Sequence, residues 1–258
     1  MCDDFVTKIK NAFAYNFPEA DVFAFDKIGS TNDEARAFAL SESGRDAFFI
    51  AKEQTAGRGR RGRSFISRDG GLYISYLIHP KLAARDSVML TVFSAVALSE
   101  VIEEMTGEQP GIKWVNDIFL GGKKIAGILA EGGFSTDGES FEYAVVGIGV
   151  NLLGASVSAE IEGIATTLEA ESGIRVNISD FAVRLAKKLS SFEKDLSDSY
   201  MDSYRQRCFV IGKRVKMTSA GEEFLADVIR IENDGAITVR LDTGDEKSFY
   251  SAEVSVVL

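Results

Sequence analysis

Residues 47–78 read AFFIAKEQTAGRGRRGRSFISRDGGLYISYLI: two apolar, aromatic-rich runs on either side of a loop that holds four arginines and three glycines in positions 57–63. Ala47 to Gln54 and Leu72 to Ile78 have the composition and length of β-strands, Thr55 to Ser64 is the loop, and Gly70-Gly71 precedes the second strand. Glycine lets the backbone approach a ligand or take a positive φ, and guanidinium groups bind phosphate through paired hydrogen bonds. The loop is therefore read as a polyanion site. The same composition occurs in RNA-binding arginine-glycine tails and in solvated basic loops, but a tail does not sit between two strands of an acidic chain. Nor does it fit the G-x-x-x-x-G-K-[ST] pattern of a P-loop.

Upstream, Phe5, Ile9 and Phe13 have helical spacing over residues 5–17, Phe23-Ala24-Phe25 reads as a strand, and Thr31-x-x-Glu34 has the form of a capping box opening a helix through Leu40. Downstream, Asp86 is placed to cap a helix from Val88 to Met105, whose stripe of Leu90, Phe93, Ala97, Val101 and Met105 is core. Ile112 to Trp114 and Ile118 to Leu120 read as strands, the latter turning at Gly121-Gly122 into Ile125 to Ala130, and Ala144 to Leu152 is another strand. A helical stretch spans Ile178 to Arg207, with Phe181, Leu185, Leu189 and Phe192 on one face. After Cys208 the texture changes to short alternating segments, Arg214 to Thr218, Phe224 to Ile231, Ala236 to Leu241 and Lys247 to Tyr250, which predict a small all-β domain closing as a short barrel.

Composition excludes several classes. With 29 Lys and Arg against 39 Asp and Glu, the net charge of −10 excludes a protein whose whole surface holds DNA or RNA and confines any anion site to a local basic island. Two cysteines, Cys2 and Cys208, make neither a disulfide framework nor a cysteine-built zinc site. The N-terminus has no basic region followed by an apolar core, and no apolar run reaches the roughly 18 residues of a membrane span, so a cytoplasmic protein with no membrane partner is expected. The lone histidine, His79, reads as a strand-end residue and not as part of a nucleophilic triad.

Two further constellations carry chemistry. Lys113-Trp114-Val115-Asn116-Asp117 is followed seven residues after Asp117 by Lys124, and a hairpin would bring an oxygen ligand for magnesium and a fixed cation to one pocket; a solvated hairpin lysine is the plainer alternative. Val146-Gly147-Ile148-Gly149-Val150-Asn151 is a strand with two glycines that clear space for a ligand, or that mark a bulge.

Taken in order, Ser30-Thr31-Asn32, Glu53 to Arg63, Lys113 to Asp117, Lys124 to Ile128 and Gly147 to Asn151 resemble the biotin protein ligase family over about residues 25 to 155, and the C-terminal β domain agrees in size and position. The resemblance implies an α+β fold: a mixed sheet packed with helices over 1–207, as in lipoyl ligases, and a small β-barrel-like domain over 208–258. It implies ATP-dependent activation of biotin to biotinyl-5′-AMP, with magnesium, and transfer to a lysine of a biotin carboxyl carrier protein domain of acetyl-CoA carboxylase or another biotin-dependent carboxylase. By the same resemblance Ser30, Thr31, Asn32 and Gln54 would face biotin, Gly57 and Arg58 would close over acid and phosphate, and Gly127 would make room at the pocket wall. Lys124 would bridge the carboxylate and the α-phosphate, acting in catalysis with Arg58. Arg60, Arg61, Phe65, Trp114, Asn116 and Asn151 would serve the nucleotide, and Asp117 the metal. Phe65 stands where the family usually has tryptophan, and Val115 where it has proline. Too few residues precede the motifs for the helix-turn-helix domain of some members, so a dedicated ligase without nucleic-acid binding is expected, and a homodimer is an open expectation.

The chemistry asks for such a set. Two anions, a carboxylate and the α-phosphate, must meet, and the glycine-rich loop is a lid that shields a reactive adenylate from water. The rivals are a lipoate or octanoate ligase on the same fold, whose acid pocket needs no hydrogen-bond partners, and a non-catalytic nucleic-acid-binding module using the arginine loop.

Overall fold

The alternation of apolar residues along β-strands decides which face of the sheet becomes core and which becomes site. The computed structural model describes residues 4–41, 44–158, 160–191 and 198–257. In chain order these form α1 (Phe5–Asn16), β1 (Asp21–Ile28), α2 (Thr31–Ser41), β2 (Ala47–Gln54), β3 (Gly71–Ile78), α3 (Val88–Thr106), β4 (Gly111–Lys113), β5 (Asp117–Leu120), β6 (Lys123–Phe134), β7 (Phe141–Asn151), α4 (Leu168–Ser172), α5 (Ile178–Ser190) and α6 (Asp198–Arg207). Five short strands follow: β8 (Arg214–Ser219), β9 (Glu222–Ile231), β10 (Ile237–Leu241), β11 (Glu246–Phe249) and β12 (Glu253–Val256).

The first seven strands make one mixed sheet in the order β1-β2-β3-β7-β6-β5-β4. Only β1 and β2 are parallel, with α2 as their crossover; every other pair is antiparallel. One face is closed by α1, α3 and α5. Phe48 and Ile50 of β2, Leu72, Ile74 and Tyr76 of β3, and Val146, Ile148 and Val150 of β7 point there, into a core shared with Ile9, Phe13, Phe93 and Phe181. Burying each such side chain is worth about 1.5–3 kcal/mol. On the opposite face α2 packs through Ala35 and Ala39 onto Phe49 and Leu77. Beyond α2 the residues alternating with the core set, Ser75, Gly147 and Gly149, are mostly small.

A β-bulge positions the most important side chain. Ile118 pairs with Ala126 but Phe119 pairs with Lys124, so Ile125 is an extra residue on β6. Ile125 and Ala126 are consecutive yet both lie in the core. The insertion reverses the in-and-out order, which turns Lys124 to the same face as Gly127. The hairpin joining β5 to β6 is the expected two-residue turn, with Gly121 at φ 57° and Gly122 at φ 79°, angles that glycine takes without strain.

Several expectations are corrected. Asp86 ends a short turn, Ala84–Asp86, and α3 follows Ser87 with no side-chain cap. Thr31 forms no capping box: its hydroxyl donates to Gln54. The stretch 178–207 divides into α5 and α6; Phe181, Leu185 and Leu189 are buried as expected, and Phe192 lies outside the described residues. The C-terminal region is a five-stranded antiparallel sheet in the order β11-β10-β9-β8-β12. Its edge strands β11 and β12 lie at opposite ends, so among the described residues it is an open sheet and not a closed barrel. The fifth strand, β12, was not anticipated, because only Val254 of its four residues is buried. Buried residues of this sheet, among them Val215, Met217, Ile237 and Val254, join the same core as the large sheet. No described helix is long and apolar enough to cross a membrane.

Candidate active site

The start of α2, the end of β2 and the small-residue face of β3, β7 and β6 together form a cleft of about 1020 Å³, open mouth included. Its inner wall is a network of mostly neutral groups. Gln54 Oε1 accepts from the Thr31 N–H at 2.8 Å and from the Thr31 hydroxyl at 3.0 Å, while Gln54 Nε2 donates to Ser67 at 2.9 Å. The Ser75 hydroxyl lies 2.7 Å from Thr31 Oγ1 and 2.6 Å from Asn32 Oδ1, so its one proton serves two acceptors. Asn32 Nδ2 donates to Glu131 at 2.9 Å. Ser30, Thr31 and Asn32 are almost fully buried, where each unpaired polar group would cost about 1–3 kcal/mol, so the network holds these side chains in place.

The strand glycines have a definite use. A Cβ on Gly147 would collide with the Asn32 amide, and one on Gly149 would stand 2.5 Å from the Phe65 ring. A Cβ on Gly127 would press on both Lys124 Nζ and Phe65, each at 3.1 Å. These glycines therefore clear room for side chains that line the cleft, and not only for a ligand. Phe65 stands edge-on to Tyr73, with ring centroids 6.4 Å apart, and Lys124 Nζ lies 5.7 Å from the Phe65 centroid.

The cations follow. Lys124 Nζ is 2.7 Å from Asp117 Oδ1, so the hairpin does bring the two together. The Lys124 backbone is fixed as well: its N–H donates to Ile164 O at 3.1 Å and its carbonyl accepts from Thr166 N at 2.9 Å. Arg58 pairs with Glu131 at 2.6 Å and Asp33 at 2.9 Å, and among the described residues its buried Nε has no hydrogen-bond partner. Arg60 donates to Asn116 Oδ1 at 3.2 Å and to Ser251 at 3.3 Å; burial, with repulsion from Arg61, pulls its pKa below the usual arginine range. Asn116 Nδ2 donates to Ile128 O at 3.0 Å.

The arginine loop is a folded miniature hairpin. Gly59 N donates to Arg63 O at 2.6 Å and Phe65 N to Gly57 O at 2.8 Å. Arg61 sits at φ 56°, unusual for a residue with a Cβ and of the kind that clusters at ligand-binding segments. The loop rests on the small sheet: Arg61 donates to Thr218 O at 3.2 Å, and Arg63 pairs with Glu253.

Of the residues singled out from sequence, the cleft gathers Ser30, Thr31, Asn32, Gln54, Arg58, Arg60, Arg61, Phe65, Trp114, Asn116, Asp117, Lys124 and Gly127. Two do not line it. Gly57 stands behind the wall, where a Cβ would collide with the carbonyl of Phe65. Asn151 is buried and donates to Thr166 O at 3.3 Å, so it bears on the cleft only through the strand-like contact that holds the Lys124 backbone. Trp114 is 3 % exposed and its indole N–H donates to Gly235 O at 2.9 Å, which makes it a strut to the small sheet as well as a wall. Sequence reasoning missed Asp33, Ser75, Glu131 and Glu253, and assigned no role to Lys113. Ser75 had one available signal, a serine inside an otherwise apolar strand; the acids had none. For a metal, no cluster of three or more ligating side chains occurs among the described residues. His79 pairs with Asp46 at 3.1 Å, away from the cleft lining, as a strand-end residue.

Residues 24–151 match the model of the biotin/lipoate A/B protein ligase family, and residues 210–257 that of the biotin protein ligase C-terminal domain. A biotin–[acetyl-CoA-carboxylase] ligase of Paracoccus denitrificans is 32% identical, over 84% of this chain and 93% of the relative. A bifunctional ligase/repressor BirA of Bacillus spizizenii is 30% identical, over 90% of this chain and 72% of the relative. Among solved structures, the biotin protein ligase from Aquifex aeolicus in complex with biotin and ATP superposes with a TM-score of 0.77 at 24% identity, over 92% of this chain and 99% of that one.

Proposed function

This chain belongs to the biotin protein ligase family, and from that premise we propose how its cleft activates biotin with ATP and hands it to a carrier lysine. The observation that carries the reading is the position of Lys124 at the junction of the neutral pocket and the arginine loop. A ureido ring needs donors and acceptors, and Thr31, Asn32 and Gln54 supply a preformed set, with the buried Ser75 holding Thr31 and Asn32 in place. This polar wall favours biotin over lipoate or octanoate, whose apolar ends would leave those groups unpaired.

In the first step a carboxylate oxygen of biotin attacks the α-phosphorus, the bond to the bridging oxygen breaks, and pyrophosphate leaves with the electron pair. Lys124 and Arg58 offset the repulsion between the two anions. Each charge pair at about 4 Å contributes roughly 4 kcal/mol at an effective dielectric of 20, before desolvation. Asp117 and Glu131 pair with these cations, and ligand oxygens would take over from the acids. Arg60 and Arg61 would hold the phosphates, Phe65 would cover a flat face of the adenylate, and Asn116 would fix Arg60. Asp117 would be the carboxylate that meets a triphosphate-bound magnesium, which would supply neutralisation of the phosphate charge. In the second step the amine of the carrier lysine attacks the carbonyl carbon of the mixed anhydride and AMP leaves. The names of the relatives support a biotin carboxyl carrier protein domain as acceptor.

The test is biotin-dependent exchange of labelled pyrophosphate into ATP, run beside lipoate and octanoate on wild type and Lys124→Ala. Exchange with biotin alone, cut about 10²- to 10³-fold in the variant, is the expected result. Exchange with lipoate alone would move the chain to the lipoate branch of the family, and full exchange in Lys124→Ala would remove that lysine from the chemistry.

A further inference from the structure

The bulge that turns Lys124 into the cleft also takes it off the regular ladder. The β6–β7 register starts at Ala126 with Val150. At Lys124 the place of β7 is taken by residues 164–166, through a parallel bridge to Ala165. The Lys124 N–H donates to Ile164 O at 3.1 Å, and the Lys124 carbonyl accepts from Thr166 N at 2.9 Å. A bulge disrupts ladder bonding on its strand, and backbone groups away from water need partners. These two bonds supply them, so the placing of the lysine backbone depends on what holds residues 164–166.

Two of the holds are Asn151 Nδ2, which donates to Thr166 O at 3.3 Å, and Lys123 Nζ, which donates to Glu162 O at 2.9 Å. The third is Glu171 of α4, whose Oε1 accepts from the Thr166 hydroxyl at 2.7 Å. Its other carboxylate oxygen lies against the β5–β6 turn, where a Cβ on Gly121 would overlap it. The short helix that carries Glu171 is itself pinned. Thr167 caps it by accepting from Ala170 N at 3.2 Å, Leu168 is fully buried, and the Glu169 N–H donates to Leu152 O at 2.9 Å. One carboxylate thus touches both segments that flank Lys124, the turn three residues before it and the strap beside it, while standing outside the cleft lining.

We propose that Glu171 is a positioning residue for Lys124, acting through Thr166 and the Gly121 turn to set where the ammonium stands between the two reacting anions. The proposal rests on the adenylation reading and deepens it. Asp117 holds the tip of the side chain at 2.7 Å. Once ligand oxygens replace Asp117, the constraint that belongs to the protein is the backbone, which Glu171 steadies. A displacement of about 1 Å at a reacting centre can cost about 10²-fold in rate.

The experiment is biotin-dependent exchange of labelled pyrophosphate into ATP with biotin varied, beside thermal unfolding. The variants are Glu171→Ala, Glu171→Gln, Thr166→Val, and Glu171→Ala combined with Thr166→Val or with Lys124→Ala. Glu171→Ala is expected to lower the kcat of exchange about 10-fold, the usual worth of one charge-assisted contact, with the KM for biotin within about two-fold. Glu171→Gln keeps an oxygen that accepts from Thr166 and restores the rate to within about three-fold, as a neutral acceptor weakens but does not remove the bond. Thr166→Val reproduces the loss, and adding it to Glu171→Ala brings no further loss, because both remove one bond. In the Lys124→Ala background Glu171→Ala has no effect beyond about two-fold, since the group it positions is gone. A merely structural role would carry the same loss into that background. Thr166→Val keeps the side-chain shape and decides the question if Glu171→Ala melts below the assay temperature. Unchanged kcat in both Glu171→Ala and Thr166→Val, or an equal loss with and without Lys124, overturns the proposal while wild-type exchange keeps the adenylation reading intact. No exchange in wild type overturns both.

Discussion

The two halves of the cleft are built on different physics. The acid half is a web of mostly neutral hydrogen bonds on a strand end, a helix start and a sheet face, with Ser30, Thr31 and Asn32 at most 6 % exposed and Asn32 alone reaching a carboxylate, Glu131. The phosphate half is a glycine-rich loop held by ion pairs near solvent: the Arg63 side chain is 67 % exposed and that of Arg58 is 35 %. Neutral bonds in a buried site are insensitive to salt and leave their partners stranded if broken, whereas exposed ion pairs are worth about 0–1 kcal/mol and exchange readily for a ligand's charges. The acid half is thus prepared before biotin arrives, and the phosphate half is completed by the triphosphate. Lys124, anchored in the first and charged like the second, joins them.

The comparison breaks most sharply at Gly147. Gly147→Ala places a methyl group into the Asn32 amide, which can neither move without losing Ser75 and Glu131 nor stay without overlap. Overpacking costs about 1–3 kcal/mol and a stranded buried amide a similar amount. The KM for biotin is expected to rise about 30-fold or more, with a melting temperature lower by about 2–4 °C per kcal/mol for a chain of this size and a much smaller change in the KM for ATP. Steady-state kinetics with each substrate varied in turn, beside thermal unfolding, checks this; an equal rise in both constants would show that the halves are one unit.

This difference also governs what could be read from the sequence. Gly57 to Arg63, Lys113 to Asp117 and Lys124 stood out because their residue types are chemically loud, and the hairpin through Gly121-Gly122 brought Asp117 to Lys124 as its length required. The sheet strands were legible from their apolar runs. The bulge at Ile125 was not, since register is settled by pairing partners far away in sequence, yet it is what turns Lys124 into the cleft. Ser75, Glu131 and Glu253 become meaningful only once β3, β6 and β12 are placed around one space. Asn151 and Gly57 also sit in quoted motifs but stand outside the cleft lining, Asn151 bonded to Thr166 O and Gly57 close against the carbonyl of Phe65. Asp86 and Thr31 show the same limit for local rules, since Thr31 had a stronger tertiary partner in Gln54 than any cap could offer.

A milder cut on the same side is Thr31→Val, which keeps the shape, removes the hydroxyl and leaves Gln54 and Ser75 each short of a partner. Loss of that bond is worth about 1–2 kcal/mol, so the KM for biotin should rise about 5- to 30-fold while ATP dependence stays within about two-fold. Isothermal titration with biotin alone separates this from an effect on chemistry, and unaltered biotin affinity would remove Thr31 from recognition.

The smallest effect expected is on the phosphate half, and it sharpens the comparison because the acid half serves as internal control. Raising ionic strength from about 0.1 M to 1 M shortens the screening length from about 10 Å to 3 Å. The pairs Arg63–Glu253 and Arg58–Asp33 are exposed enough to feel it, so the loop should spend more time off the small sheet. Cleavage by trypsin at Arg58 to Arg63 should then rise about two- to five-fold, the most that pairs of this kind support, and fall again when biotin and ATP are added, because ligand charges replace the lost partners. Biotin affinity over the same range should stay within about two-fold, since Thr31, Asn32, Gln54 and Ser75 carry no charge. Salt-independent cleavage would mean that the loop is held by its own backbone bonds, Gly59 to Arg63 and Phe65 to Gly57, and that its arginines are presented rigidly to the nucleotide in the same manner as the neutral wall is presented to biotin.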